Sequence, residues 1–107
     1  MEYIFNETSF ENEVLKSDIP VMIDFFAEWS GPCRMMSPIV EQFAGEYEGK
    51  VKIGKVNVDE EEELVERFGI QSIPSFVFIK GGEVVDIVTG AMPRAAMNDR
   101  LGKLTAD

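Results

Sequence analysis

Residues 20–27, PVMIDFFA, are apolar at nearly every position, and the chain then passes through Ser30-Gly31-Pro32-Cys33 into a stretch of helical spacing. A strand without polar alternation has no face to offer water. It belongs in the middle of a sheet covered on both sides. From Gly31 to about Tyr47, Met36, Ile39, Val40, Phe43 and Tyr47 recur at steps of three and four, which predicts an amphipathic helix. Pro38 falls inside it and predicts a kink.

The flanking segments extend the same alternation. YIF near the start reads as a short strand, and TSFENEVLKS as a helix with Thr8 and Glu11 at capping-box spacing and Phe10, Val14 and Leu15 on one face. VKIGKVNV predicts the next strand. In DEEEELVERFG, Asp59 is a candidate N-cap, the acids favour the first turn and Gly69 is a stop. PSFVFIK and EVVDIVTG flank Gly81-Gly82, a hairpin signal that makes these strands antiparallel, and PRAAMNDRLGKL closes as a helix with Pro93 in its first turn. The order β-α-β-α-β-α-β-β-α describes an α/β fold: a central mixed five-stranded sheet flanked by four helices. With no repeat or linker, residues 1–107 are expected to form one domain.

Composition narrows the function classes. A net charge of −10 repels phosphate backbones and anionic lipid, so nucleic acid and membranes are poor partners. The absence of histidine excludes any mechanism needing an imidazole. A single cysteine, Cys33, closes no internal disulfide and anchors no zinc site, so no metal is expected. MEYIFNETSF lacks the basic and apolar regions of a signal peptide, and no apolar run reaches membrane-span length, which leaves the cytoplasm as the expected compartment.

Three features converge at the carboxyl end of the second strand, where open α/β sheets place their sites. The first is the turn. A helix starting after Ser30 makes that residue its N-cap, puts Gly31 and Pro32 in the first turn and Cys33 at the third position. Unpaired N–H groups and the helix dipole there would stabilise a thiolate at the cap, but a serine hydroxyl is too weak an acid to respond. The second is Asp24, a carboxylate within an apolar strand, with Lys55 of the neighbouring strand as the available cation. It reads equally as a proton-transfer group of raised pKa beside a thiol, or as an acid turned toward a cavity or edge. The third is Ile73-Pro74, for which sequence alone predicts a trans bond.

These residues together identify a family. The chain resembles thioredoxin from end to end: DFFAEWSGPCRMMSPIV is similar to that family's strand, active site and kinked helix, with W-S-G-P-C where the signature is W-C-G-P-C. GIQSIPSFVFIKGGE resembles its cis-proline segment and hairpin, and TGAMP its closing glycine loop; Asp24, Pro38, Lys55, Pro74, Gly82 and Gly90 follow in family order. The resemblance implies a protein-disulfide reductase and electron carrier, expected to be a monomer with no bound cofactor. Its electrons would come from NADPH through a flavin-dependent thioredoxin reductase, and its other partners would be disulfide-containing proteins. It also implies that Ser30 holds the place of the attacking cysteine and that Cys33 is the resolving one. Asp24 would handle the Cys33 proton with Lys55 tuning it, and Pro74 would be cis. Trp29, Gly31, Pro32, Ile73, Pro74, Gly90 and Ala91 would form a groove for an extended peptide.

The departure falls on the reacting atom, because an alkoxide is not accessible at neutral pH. The chain as written is expected neither to reduce a disulfide nor to form its own, and the first reading is an engineered variant, a deliberate Cys→Ser substitution at Ser30 in an otherwise complete apparatus. A second reading is a naturally redox-dead thioredoxin-like module that binds peptides or a partner subunit. A third keeps Cys33 as a monothiol, which its shielded position disfavours, and serine hydrolysis lacks a base. Phe26 stands where many relatives carry a tryptophan, a volume-similar change expected to be silent, and Arg34 replaces the usual lysine and keeps its positive charge. The Glu60–Glu63 run reads as a solvated helix face; Met35, Met36 and Met97 read as core filler, and Phe25, Phe43, Phe68, Phe76 and Phe78 as core.

Overall fold

The apolar run from Val21 to Phe26 forms β2, buried over almost its whole length at the centre of a five-stranded sheet ordered β1-β3-β2-β4-β5. The computed structural model describes residues 1–106. β1 (Tyr3–Ile4) and β3 (Lys52–Asn57) run parallel to β2; β4 (Ser75–Lys80) is antiparallel to it, and β5 (Glu83–Thr89) returns antiparallel to β4. The helices are α1 (Gly31–Glu46), α2 (Glu62–Phe68) and α3 (Arg94–Thr105). The fourth helical segment, Glu11–Leu15, is wound as a π-helix, with Lys16 N–H donating to the Glu11 carbonyl at 2.9 Å.

Alternation along β2 divides the core into two layers. Val21, Ile23 and Phe25 join Phe5, Val56, Val77 and Ile79 under Phe10, Val14 and Leu64. Met22 joins Ile53, Phe76 and Phe78 under Met36, Val40 and Phe43 of α1 and Met97, Leu101 and Leu104 of α3. Asp24 follows the Met22 phase, so a carboxyl is carried into the layer facing α1 and α3. Phe68 is only half-buried but packs edge-on to Phe10 and tilted to Phe25, each at 5.7 Å between ring centres.

Gly81 and Gly82 both adopt positive φ (61° and 79°), as a two-residue hairpin with strand-compatible twist requires. Gly69, at φ 64°, stops α2. Four local expectations are corrected. Thr8 and Glu11 do not cap the first helical segment; the reciprocal pair lies two residues earlier, with Ser9 N–H donating to Asn6 Oδ1 (2.8 Å) and Asn6 N–H to Ser9 Oγ (3.1 Å). Asp59 does not cap α2: Glu61 is the boundary residue, and the Glu63 N–H is satisfied by Glu7 Oε2 at 3.0 Å, from a distant segment. Pro93 precedes α3 as its boundary residue instead of lying in its first turn. Met35 is no core filler, being 70% exposed, whereas Met36 and Met97 are buried.

Candidate functional site

The loop leaving β2 turns into α1 at Ser30, whose backbone is extended (φ −88°, ψ 121°) and whose Oγ accepts the Cys33 N–H at 3.3 Å. The hydroxyl thus occupies the N-cap and satisfies one of the donors the helix start leaves unpaired. Gly31 and Pro32 complete the first turn, where the missing proline N–H removes no bond. Ser30 and Cys33 are both buried, 6% and 4% exposed. Trp29 and Pro32 are exposed at this turn, Trp29 to 68%, and its indole Nε1 donates to Asp59 Oδ2 at 2.9 Å. That bond is where the Asp59 carboxylate goes instead of capping α2. Arg34 folds back to the Glu28 carbonyl at 2.9 Å.

Cys33 lines a cavity of about 270 Å³ with Phe26, Ala27, Glu28, Arg34, Ser37 and Lys55. Asp24 lies deeper, side by side with Lys55 in the β2–β3 register. Its Oδ1 has no hydrogen-bond partner. Burial, then the Glu2 carboxylate, push the Asp24 pKa up to about 7, while Lys55 pulls the other way. A carboxyl titrating there can accept and return a proton at neutral pH.

Lys55 does not close an ion pair on Asp24. Its Nζ is 3.9 Å from Glu2 Oε1 and 5.2 Å from the centre of the Phe26 ring. Glu2 is the residue that sequence reasoning missed. The signal was present in the alternation of the first strand, since Tyr3 and Phe5 face one layer and leave Glu2 and Ile4 to the other.

The Ile73–Pro74 bond is cis, against the trans expected from sequence alone and in agreement with the resemblance. Pro74 is buried immediately before Ser75, which pairs with Phe25 near the end of β2, so it shares the sheet end that carries Ser30. Gly90 (φ 96°) donates its N–H to the Pro74 carbonyl at 2.8 Å, and Ala91 follows it, exposed. Trp29, Gly31, Pro32, Ile73, Pro74, Gly90 and Ala91 are not among the residues lining the Cys33 cavity; of these, Trp29, Pro32 and Ala91 are exposed and Pro74 is buried. Among the described residues no cluster of three or more His, Cys, Asp or Glu is placed to hold a metal ion, and no helix is long and apolar enough to cross a membrane.

Comparison with known proteins agrees with this architecture. The thioredoxin family model matches residues 2–103. Thioredoxin 1 of Nostoc sp. is 47% identical over 97 residues, 91% of each chain, and a thioredoxin of Chlorobaculum thiosulfatiphilum 49% identical over 88 residues, 82% of each. The chloroplastic M-type thioredoxin of Pisum sativum is 43% identical over 100 residues, 94% of this chain and 58% of that one. With a mixed five-stranded sheet, a capped turn at the end of its central strand and a match across almost its full length, the chain belongs to the thioredoxin family.

Proposed function

We propose that this chain is a thioredoxin-type protein-disulfide oxidoreductase scaffold in which the attacking thiol is replaced by the Ser30 hydroxyl, leaving it unable to reduce disulfides. Family membership supports thiol–disulfide exchange as the chemistry of the scaffold, and exchange between sulfurs needs no resident cofactor. The observation that carries the reading is the Ser30 cap. Its Oγ sits where the α1 N–H groups would stabilise a thiolate, with Cys33 one turn on.

A sulfur at that position would attack a substrate disulfide, forming a mixed disulfide and expelling one substrate thiolate. Cys33 would then attack the introduced sulfur, closing an internal disulfide and releasing the second substrate thiolate. Asp24 would take the Cys33 proton in that step and return it on reduction, with Lys55 modulating its charge. Serine cannot begin the sequence, because its hydroxyl does not ionise at neutral pH and no histidine serves as base.

Trp29, Gly31, Pro32, Ile73, Pro74, Gly90 and Ala91 would form the peptide-binding face. The corresponding partners are a flavin-dependent thioredoxin reductase, which carries electrons from NADPH, and proteins with accessible disulfides. The reading treats residues 1–107 as one monomeric domain acting in the cytoplasm; the pea relative is chloroplastic by name. Ser30→Cys tests it. The variant should reduce insulin with dithiothreitol, and with NADPH plus a thioredoxin reductase, while the unaltered chain stays at the dithiothreitol background. Turnover by the unaltered chain overturns the reading. A silent Ser30→Cys variant favours a peptide-binding module instead.

A further inference from the structure

The site leaves one buried carboxyl oxygen, Asp24 Oδ1, without a partner. Asp24 and Lys55 are register partners on adjacent parallel strands, so their side chains leave the sheet on the same face. A buried carboxylate beside a lysine ordinarily recruits it, because an unpaired buried charge is costly. Here the ammonium goes elsewhere: to Glu2 Oε1 at 3.9 Å and over the Phe26 ring at 5.2 Å, while Asp24 Oδ1 has no partner. Glu2 reaches Lys55 because Ile4, two residues on, pairs with Lys55 across the β1–β3 ladder. Its side chain is itself only 14% exposed, which holds the carboxylate in place.

We propose that Glu2 is a positioning residue for Asp24: it draws the Lys55 ammonium to itself and keeps it from pairing directly with the buried carboxyl. The inference rests on Asp24 being the proton site of the function proposed above. The groups that act on this cluster come from every side. Lys55 comes from β3 and Glu2 from the segment before β1; Glu41 of α1 and the terminal ammonium act on Glu2. Cys33 of α1 shares the cavity with Lys55, and β4 contributes only the apolar Phe76 opposite Asp24. Burial raises the Glu2 pKa, and Glu41 adds to this, against the pull of Lys55 and the amino terminus.

The test is a carboxyl carbon-13 NMR titration of Asp24 in the full chain, which requires no disulfide turnover and keeps Ser30 in place. Glu2→Gln frees Lys55 to turn to Asp24 and should lower the Asp24 midpoint by about one pH unit. In a Lys55→Gln background the same substitution should move it by less than half as much. An unchanged midpoint in Glu2→Gln would make the contact purely structural and overturn the proposal. An equal shift with and without Lys55 would also overturn it, since Glu2 would then act by direct repulsion. If Ser30→Cys proved inactive while these shifts appeared, the proposed function would fail and the positioning role would stand.

Discussion

Asp24 is 4% exposed, with its pKa pushed up to about 7 first by burial and then by Glu2. Between about pH 4 and pH 7 the folded chain keeps a proton that the unfolded chain has given up. The Asp24 contribution is therefore fully present below about pH 4, falls as pH rises through that window, and is lost above it. Asp24→Asn removes the titration. It should raise the unfolding free energy near pH 8, by roughly 4 kcal/mol at most, and leave it nearly unchanged near pH 4. Urea unfolding of both proteins at the two pH values measures this; equal stabilities near pH 8 would mean that the carboxylate is well solvated or paired. The sequence disclosed an acid in an apolar strand and a lysine beside it. Glu2 was harder to see, because the contact depends on how the first strand registers on β3.

At the level of elements, Gly54 shows how closely β1 and β3 are fitted. A Cβ there would lie 2.4 Å from Phe5 Cε2 and 2.8 Å from Tyr3 Cβ, so the fully buried Phe5 ring occupies the space of the missing side chain. Gly54→Ala should destabilise the fold by about 1–3 kcal/mol, read as a lower urea midpoint with an unchanged slope. The strands, the Gly81-Gly82 hairpin and the Ser30 boundary of α1 were legible because each is encoded within a few consecutive residues. Boundaries set by distant partners were not. Glu7 caps α2 from the amino-terminal segment, and Asp59 is taken by Trp29. The register shift between Phe78 and Ile79, which leaves Val85 of β5 unpaired, had no local marker either.

For the molecule as a whole, twenty acidic against ten basic side chains leave a net charge of −10 on a body of 35 × 29 × 22 Å. Many like charges then lie within a screening length of one another at low salt. The surface ion pairs, such as Lys16–Glu11 and Lys103–Asp99, are exposed and contribute little. Added NaCl, from about 20 mM to about 200 mM, should therefore raise Tm by roughly a few degrees at neutral pH. A falling Tm would show that attraction, not repulsion, dominates the surface. The same acidity guards the open strand β5, where Glu83 and Asp86 interrupt exposed Val84, Val85 and Ile87 and discourage edge-to-edge pairing. Trp29 is the sole indole in the chain, held at the rim of the Ser30 turn by Asp59 and otherwise open to water. Its emission is consequently a native optical reporter: a visitor covering that rim changes the ring's solvent exposure, and no dye or label has to be attached to see it.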